Sequence, residues 1–286
     1  MNNHHISFKV LGIMAGIFFY FLFLITSPNV FAGLVTAYTF EPGTEFSDVA
    51  ELLGGGGVAS DDLDCSGNCS FDVGVFGQAI EVGLADYFAT LGNSSDLDPG
   101  PNGFTVALYT KGTEWGDVAG GHMVTKYLPS NGWDIMAGGF TTGYKPMTIE
   151  GTFSDNGSYY RLTVSEETVE GAWRHIAMTY DGGISTAKLY IDGELRTERN
   201  DVFFTSADVG VYFGVASHAP SQADHAYGGI FDDIAIFDEP LSQQNIVRLS
   251  AEGLESYMAP IPEPATMLLL GTGLVGLAGF RRKFRG

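Results

Sequence analysis

Apolar and polar residues alternate along most of the central chain, the pattern expected of β-strands with one buried face. Clear alternating runs cover residues 104–109, 159–164 and 187–191. The runs are separated by turn-forming pairs: Asn102-Gly103, Asn131-Gly132, Asn156-Gly157, Asp181-Gly182 and Asp192-Gly193. Short strands joined by such turns predict an all-β fold of two antiparallel sheets packed as a sandwich.

One short stretch near the end of the body has helical rather than alternating spacing. Ser242 can cap a helix there, and Leu241, Ile246 and Leu249 can pack on one side of it. We expect one helical turn over residues 242–249.

The N-terminal segment has the organisation of an export signal. Lys9 and two histidines precede an apolar run over residues 10–25, and small residues end the segment at Ala32. This order predicts a signal peptide over residues 1–32, cut after Ala32 by signal peptidase. A retained N-terminal helix is the alternative.

The C-terminal segment combines a Pro-Glu-Pro tripeptide, an apolar run over residues 265–280 and a basic tail. The tripeptide is Pro262, Glu263 and Pro264, and the tail begins with Arg281 and Arg282. Sixteen helical residues rise about 24 Å, short of the roughly 30 Å hydrocarbon core of a bilayer. The run is therefore a weak membrane anchor, with its basic end on the cytoplasmic side.

These three parts, in this order, resemble the PEP-CTERM sorting signal of Gram-negative bacteria. The resemblance implies export, transient retention in the inner membrane through the apolar helix, and cleavage by an exosortase. The product would then reach the cell surface or the extracellular matrix. An ordinary C-terminal membrane anchor is the alternative. We divide the chain into a signal peptide (1–32), a body (33–252), a linker (253–261) and a sorting segment (262–286).

Acidic residues dominate the charge of the chain. It contains 34 Asp and Glu against 14 Lys and Arg, a formal net charge of −20. Such a surface repels nucleic acid and anionic lipid, so neither is an expected partner. It suits a soluble extracellular protein and often accompanies calcium, although solubility alone explains it equally well.

The chain has two cysteines, Cys65 and Cys69. Because an exported protein matures in an oxidising compartment, we predict a disulfide that closes this small loop. A zinc site with the same spacing is the alternative, and it would need two further ligands.

Several stretches along the body together resemble one family. They are residues 36–41, 76–82, 86–88, 173–182, 189–194 and 231–242. In this order they are similar to the laminin-G-like, concanavalin A-like jelly roll, over about residues 34–249. The resemblance implies a two-sheet sandwich. Members of this family bind carbohydrates or proteins, some carry calcium, and some sit beside glycosidases.

Alternation along the closing strand places Asp232 on the same face as Ile234 and Ile236. If that face is the core, the carboxylate is buried, which is unfavourable unless it is paired or bound to metal. We therefore predict that Asp232 helps to hold a structural Ca²⁺ ion. The other predicted ligands, two of them in a turn similar to the family's Asp-x-Ser-Gly-Asn loop, are Asp64, Asn68 and Glu41. Alternatively, Asp232 accepts backbone N–H bonds without metal.

Motifs for catalysis are missing from the sequence. A retaining glycosidase needs two carboxyl groups about 5 Å apart, which enzymes of this fold place as Glu-x-Asp-x-x-Glu on one strand. That run is absent, as are the Gly-x-Ser-x-Gly and His-Glu-x-x-His motifs. His122, His218 and His225 are too far apart in sequence to show whether they meet. We predict a protein that is not an enzyme, with a glycoside hydrolase as an alternative.

Sugar recognition needs aromatic platforms beside hydrogen-bonding groups. Trp115, Trp133 and Tyr144 lie in stretches rich in Gly, Thr and Asn, and Tyr227 ends a polar loop. We predict that these rings line a rim site, with burial in the core as the alternative. The expected function is an exported carbohydrate-binding or adhesive module, whose partner is an extracellular polysaccharide or surface glycan. A purely structural matrix protein is the alternative.

Overall fold

The computed structural model describes residues 33–50, 53, 61–84, 86–93, 97, 103–115, 120–138, 148–165, 168–220 and 225–259. Its elements, in chain order, are β1 (Leu34–Tyr38), β2 (Leu63–Ser66), β3 (Ser70–Val73), β4 (Gln78–Val82), β5 (Tyr87–Thr90), β6 (Gly103–Trp115), β7 (Gly121–Leu128), β8 (Asn131–Ala137), β9 (Thr148–Asp155), β10 (Ser158–Ser165), β11 (Arg174–Asp181), β12 (Thr186–Ile191), β13 (Glu194–Arg199), β14 (Tyr212–Phe213), β15 (Tyr227–Phe237) and α1 (Gln243–Met258).

The strands form two antiparallel sheets, as predicted. The eight-stranded sheet has the order β13-β12-β11-β6-β15-β4-β3, with β1 also paired to β15. The seven-stranded sheet has the order β10-β9-β8-β7-β14-β5-β2. The chain therefore passes repeatedly from one sheet to the other, among other places between β2 and β3 and between β14 and β15.

The predicted hairpin turns have the backbone geometry that their residues favour. Asn156 and Gly157, between β9 and β10, have φ of 47° and 83°. Asp192 and Gly193, between β12 and β13, have φ of 52° and 82°. Two successive residues at positive φ match the twist of the flanking strands, which is why these two pairs form tight hairpins; Asn131 and Gly132 instead lie inside β8.

One core fills the space between the inner faces of the two sheets. Trp133, Ile135 and Phe153 enter it from the seven-stranded sheet, and Ile176 and Met178 enter it from the eight-stranded sheet. Burial of each such side chain contributes about 1.5–3 kcal/mol to folding. Alternation then places the next residues of β8 and β9 on the outer face of the seven-stranded sheet.

A second apolar cluster lies on the outer face of the eight-stranded sheet, beneath α1. Ala107, Ala177 and Ala235 offer only methyl groups there, and they pack in one cluster with the helix residues Ile246, Leu249 and Leu254. The small strand residues make room for the helix.

The helix starts where it was predicted and ends later. The Ser242 hydroxyl accepts a hydrogen bond from Asn245 N at 3.3 Å, as a capping residue does. The helix continues past residue 249 to Met258 through a kink at Gly253, where φ is 74°. The predicted boundary at residue 252 is wrong, because the first six residues of the predicted linker belong to this helix.

No helix in the described ranges is both long and apolar enough to cross a membrane. The predicted signal peptide and apolar sorting segment lie outside the described residues.

Candidate functional site

A groove of about 270 Å³ opens at the surface of the seven-stranded sheet, beside its edge strand β2. It is lined by Asp64, Cys65, Ser66, Tyr87, Ala89, Thr90, Leu91 and Tyr212. These residues come from β2, β5 and β14 and from the residue that follows β5.

Strand register explains why the groove forms here. Ala89 on β5 stands opposite Asp64 on one side and Tyr212 on the other. The three residues therefore share one face, and the alanine methyl forms a low floor between the two larger side chains. The neighbouring Phe88 and Phe213 point to the opposite face, where their rings stack in the core with centroids 4.6 Å apart.

Two tyrosines form an aromatic wall of the groove. The rings of Tyr87 and Tyr212 are 5.6 Å apart between centroids and are tilted by 36°. Both residues are half-buried. Burial raises the pKa of Tyr212, and the nearby Tyr87 raises it further, so the Tyr212 hydroxyl stays protonated near neutral pH. The wall thus offers ring surface together with a hydrogen-bond donor.

The predicted disulfide is confirmed and lies next to the groove. Cys65 and Cys69 are bonded to each other. Cys65 lies on β2 of one sheet, and Cys69 directly precedes β3 of the other. The bond therefore ties down the crossing between sheets. Gly67 at the tip has φ of 102°, and a Cβ there would clash with the Asp86 carboxylate.

A buried polar layer covers the centre of the same outer face. Asp134 on β8 and Glu150 on β9 are 1% and 0% exposed. Nδ1 of His122 lies 3.6 Å from Asp134 Oδ2. Arg161 Nε lies 3.3 Å from Glu150 Oε1, and the Thr163 hydroxyl donates to Glu150 Oε2 at 2.9 Å.

Burial moves the two members of the His122–Asp134 pair toward their neutral forms. Desolvation raises the pKa of Asp134 to about 7, and the charge of Glu150 adds to the effect. Desolvation also lowers the pKa of His122 to about 3, with His225 and His218 contributing. Between about pH 3 and pH 7 the pair is therefore largely a carboxylic acid beside a neutral imidazole.

The three histidines that the sequence could not relate to one another lie together. The ring centroids of His122 and His225 are 5.9 Å apart, and those of His122 and His218 are 6.5 Å apart. His218 and His225 are separated by 6.1 Å. Both lie on the segment between β14 and β15, and Tyr127 packs against His218 at 5.3 Å.

The structure places two of the four predicted sugar-binding aromatics in the core. Trp133 is 1% exposed and packs against Phe104 at 5.5 Å. Tyr227 is fully buried, and its hydroxyl lies 2.7 Å from Thr110 Oγ1. The prediction of an exposed platform at these positions is wrong, because each residue lies in a strand and faces inward.

The other two predicted aromatics stay predictions. Trp115 ends β6, where its backbone pairs with Tyr227. Tyr144 lies outside the described residues, as do the sorting-motif residues Pro262, Glu263, Pro264, Arg281 and Arg282.

Asp232 is buried as predicted, and it caps a loop. Its Oδ2 accepts hydrogen bonds from Val75 N at 2.7 Å and Phe76 N at 3.0 Å. Glu41 Oε1 accepts from Gln78 N at 3.0 Å on the same loop. Burial raises the pKa of Asp232, while these loop N–H groups lower it. Asp232 therefore accepts backbone N–H bonds, as the alternative interpretation expects.

The four predicted calcium ligands do not form one site. Asp64 and Asn68 are exposed on the disulfide-closed turn, whereas Asp232 is buried against the loop before β4. Within the described ranges, no three His, Cys, Asp or Glu side chains form a group that could hold a metal ion as they stand. The residues present do not fit the predicted calcium site.

Sequence comparison assigns the chain to a family. A profile of the concanavalin A-like lectin/glucanases superfamily matches residues 83–247, more than half of the chain. The chain belongs to this superfamily. A profile of the PEP-CTERM protein-sorting motif matches residues 260–283, which indicates an exported protein sorted to the cell envelope. Among curated protein sequences, none matches the chain.

Two solved structures with a similar fold are binding domains of toxins. The binding domain of Paraclostridial mosquitocidal protein 1 superposes with a TM-score of 0.59 at 14% identity, covering 76% of this chain and 52% of that one. The receptor-binding domain of botulinum neurotoxin mosaic serotype C/D gives 0.55 at 14% identity, covering 76% and 50%. The chain therefore spans about half the length of these toxin domains.

A third similar structure is matched over nearly its whole length. Domain 4 of an extracellular GH43 arabinanase from Geobacillus stearothermophilus, solved in complex with arabinotriose, gives a TM-score of 0.54 at 17% identity. The match covers 77% of this chain and 98% of that domain. At these identities the likeness shows the fold.

Proposed function

We propose that this exported protein is a carbohydrate-binding module that holds a saccharide in the groove between Asp64, Tyr87 and Tyr212. The observation that carries the proposal is the tilted tyrosine pair, half-buried beside an exposed carboxylate on one sheet face. The groove volume is near the lower end of the range for small-molecule sites, roughly 300 Å³. It suits one or two sugar units of a longer chain.

The chemistry of the lining matches the two kinds of surface on a sugar. The apolar C–H face of a pyranose or furanose can lie on the rings of Tyr87 and Tyr212. Sugar hydroxyls can donate to the Asp64 carboxylate and accept from the Tyr212 hydroxyl. Ala89 leaves the floor low enough for the ring to approach.

The charge of the chain narrows the ligand class. With a formal net charge of −20, the protein repels polyanions at low ionic strength. Asp64, which lines the groove, adds a local negative charge. The preferred ligand is therefore a neutral or amino-bearing glycan, not an acidic one. The arabinotriose complex of the similar arabinanase domain supports a neutral saccharide.

Binding without turnover fits the placement of the buried carboxyl groups. Asp134 and Glu150 share the outer face but are inaccessible, and Glu150 is held by Arg161 and Thr163. Neither is placed to protonate a glycosidic oxygen or attack a sugar in an open groove. We therefore assign the site to recognition.

The sorting motif supports an extracellular location for this function. We propose that signal peptidase removes the N-terminal segment and that the C-terminal helix holds the chain transiently in the inner membrane. An exosortase then cleaves near Pro262, Glu263 and Pro264. The released protein would bind extracellular polysaccharide at the cell surface or in the matrix.

Isothermal titration and a glycan array test the proposal on the full chain. The ligands are arabino-oligosaccharides, other neutral oligosaccharides, and an acidic polysaccharide as the charge control. We expect binding to a neutral glycan that weakens about 5- to 150-fold when Tyr87 and Tyr212 are replaced by Ala, because each ring contact is worth roughly 0.5–1.5 kcal/mol. Asp64→Asn should weaken it less.

Tyr159→Ala provides the matched control. Tyr159 is a more exposed tyrosine on β10, at the opposite edge of the same sheet. Loss of binding in this variant, with retention in the Tyr87/Tyr212 variant, would move the site away from the groove. No binding to any glycan would favour a purely structural matrix protein.

A further inference from the structure

The charge that lines the groove is negative. Asp64 is the one charged residue among the eight lining residues. Its side chain is exposed, and within the described part of the chain its carboxylate makes no hydrogen bond or ion pair. An exposed carboxylate without a partner, beside two aromatic rings, is an open acceptor for a cationic group.

The residues at both ends of the groove have the same charge. At one end Leu91 N donates to the carbonyl of Asp62 at 2.8 Å. At the other end Asp86 directly precedes Tyr87. The whole chain is also acidic, with 34 Asp and Glu against 14 Lys and Arg. Local and overall charge therefore both concentrate cations at the groove and repel anions from it.

Strand register brings the carboxylate and the rings within reach of one cation. Asp64, Ala89 and Tyr212 are register partners on three neighbouring strands. Because such strands lie about 4.8 Å apart, the space above the Ala89 methyl group is about 5 Å from the strands that carry the carboxylate and the ring. Tyr87 adds a second ring, 5.6 Å from the first between centroids. An ammonium group within about 6 Å of a ring centre is attracted to the ring face.

The rest of the lining favours an amino sugar over a lysine side chain. The hydroxyl groups of Ser66 and Tyr212 lie in the same groove, and the Tyr212 hydroxyl stays protonated near neutral pH. An amino sugar carries its ammonium on a ring that also has hydroxyls, so it can use both kinds of partner. A lysine carries its ammonium on a flexible apolar stem without hydroxyls. The rigid sugar ring also loses less conformational freedom on binding.

We propose that the groove is selective for amino sugars with a free, protonated amine, as in a partly de-N-acetylated polysaccharide. This inference rests on the proposed saccharide function and narrows its ligand class. The amine lies above Ala89, donates to the Asp64 carboxylate and faces the ring of Tyr87 or Tyr212. Acetylation of the amine removes its charge and, with it, the selectivity.

Isothermal titration of the full chain compares a glucosamine trisaccharide, its fully N-acetylated counterpart and trilysine. At about pH 6 and about 20 mM salt the amines are protonated and poorly screened. We expect the glucosamine trisaccharide to bind about 3- to 30-fold more tightly than the N-acetylated one, because it adds an exposed ion pair and a cation–π contact. Salt at about 300 mM should reduce this preference. Trilysine should bind more weakly than the glucosamine trisaccharide.

Two substitutions separate the contributions of the carboxylate and the ring. Asp64→Asn keeps the shape of the side chain and removes its charge, so it should reduce the preference for the amine about 2- to 5-fold. Tyr212→Phe keeps the ring and should retain the preference, whereas Tyr212→Leu should reduce it about 2- to 5-fold. Circular dichroism checks that each variant is folded. If Tyr212→Leu fails to fold, Asp64→Asn decides, since it changes an exposed residue.

Glu194→Gln is the matched control. It also neutralises one exposed carboxylate, but on β13, at the far edge of the other sheet. It should leave the preference unchanged. The proposal is overturned if the N-acetylated trisaccharide or trilysine binds as tightly as the glucosamine trisaccharide, or if the control reduces the preference as much as Asp64→Asn. In these cases binding of the N-acetylated form still supports the broader saccharide function, whereas no binding of either trisaccharide refutes both proposals.

Discussion

Replacement of Asp232 tests how the loop before β4 is held. The Oδ2 atom of this residue accepts the N–H groups of Val75 and Phe76 at 2.7 and 3.0 Å. Asp232 is fully buried. Asp232→Ala removes both acceptors and leaves two backbone donors facing a small cavity.

The expected loss follows from these contacts. A hydrogen bond to a charged acceptor is worth about 1.5–3 kcal/mol, and two bonds to one carboxylate are not fully additive. We expect Asp232→Ala to lower the free energy of unfolding by about 3–5 kcal/mol. Asp232→Asn keeps one acceptor oxygen without the cost of a buried charge, so its loss should be about 1 kcal/mol or less.

Urea denaturation of the full chain measures both losses, in chelator and in about 5 mM calcium, a concentration above the Kd of extracellular calcium modules. We expect the parent chain to have the same denaturation midpoint in both buffers. Asp232→Ala should lose more stability than Asp232→Asn. A calcium-dependent rise of the midpoint that Asp232→Ala abolishes would refute the loop-cap explanation. It would restore Asp232 as a metal ligand.

Three further substitutions make separate predictions. Burial and the charge of Asp232 raise the pKa of Asp233 to about 7. The free energy of unfolding should therefore fall as pH rises from about 4 to 7, because the folded state holds a proton that the unfolded state has lost. Asp233→Asn should flatten this pH dependence in denaturation curves. The Nζ atom of Lys126 donates to Asn93 Oδ1 and to the carbonyls of Ala207 and Val209. Lys126→Met should therefore lower the free energy of unfolding by about 3–5 kcal/mol. Trp133→Ala leaves a cavity in the core and should lower the free energy of unfolding by a similar amount, whereas Tyr87→Ala should lower it by about 1 kcal/mol or less. Urea denaturation measures both changes.

Local pattern located several of the strands and two of the hairpin turns of this fold. Each alternating run that was identified from sequence lies within one strand, and Asn156-Gly157 and Asp192-Gly193 form the expected hairpins, whereas Asn131 and Gly132 lie inside β8. These features depend on neighbouring residues only, through side-chain alternation and the ease with which Gly and Asn adopt positive φ. The two-sheet architecture followed from them together with the family resemblance.

The same local pattern misplaced the aromatic residues. Trp133 and Tyr227 both lie close to the start of a strand and beside glycines, so each was interpreted as part of a loop. Which face each ring takes depends on the pairing register with β9 or β6, which is decided across the sheet. A one-residue shift in that register would reverse the face.

The sequence alone did not predict the groove, for a related reason. Asp64 was selected, but as a metal ligand, and nothing in the sequence connected it with Tyr212. The two residues meet only because β2 and β14 both pair with β5, across about 150 residues of chain. The histidine cluster arises in the same way, from a crossing segment that returns to β7.

The distribution of side chains over the four sheet faces explains why the groove and the histidine cluster share one surface. The two inner faces are closed against each other by the core. The outer face of the eight-stranded sheet is occupied in part by α1, which packs on a floor of alanines. The outer face of the seven-stranded sheet instead carries Asp134, Glu150 and the histidines, groups that are costly to bury and contribute little to a core. The eight-stranded sheet also buries two carboxyl groups, Asp232 and Asp233, but each of them accepts a backbone N–H bond there.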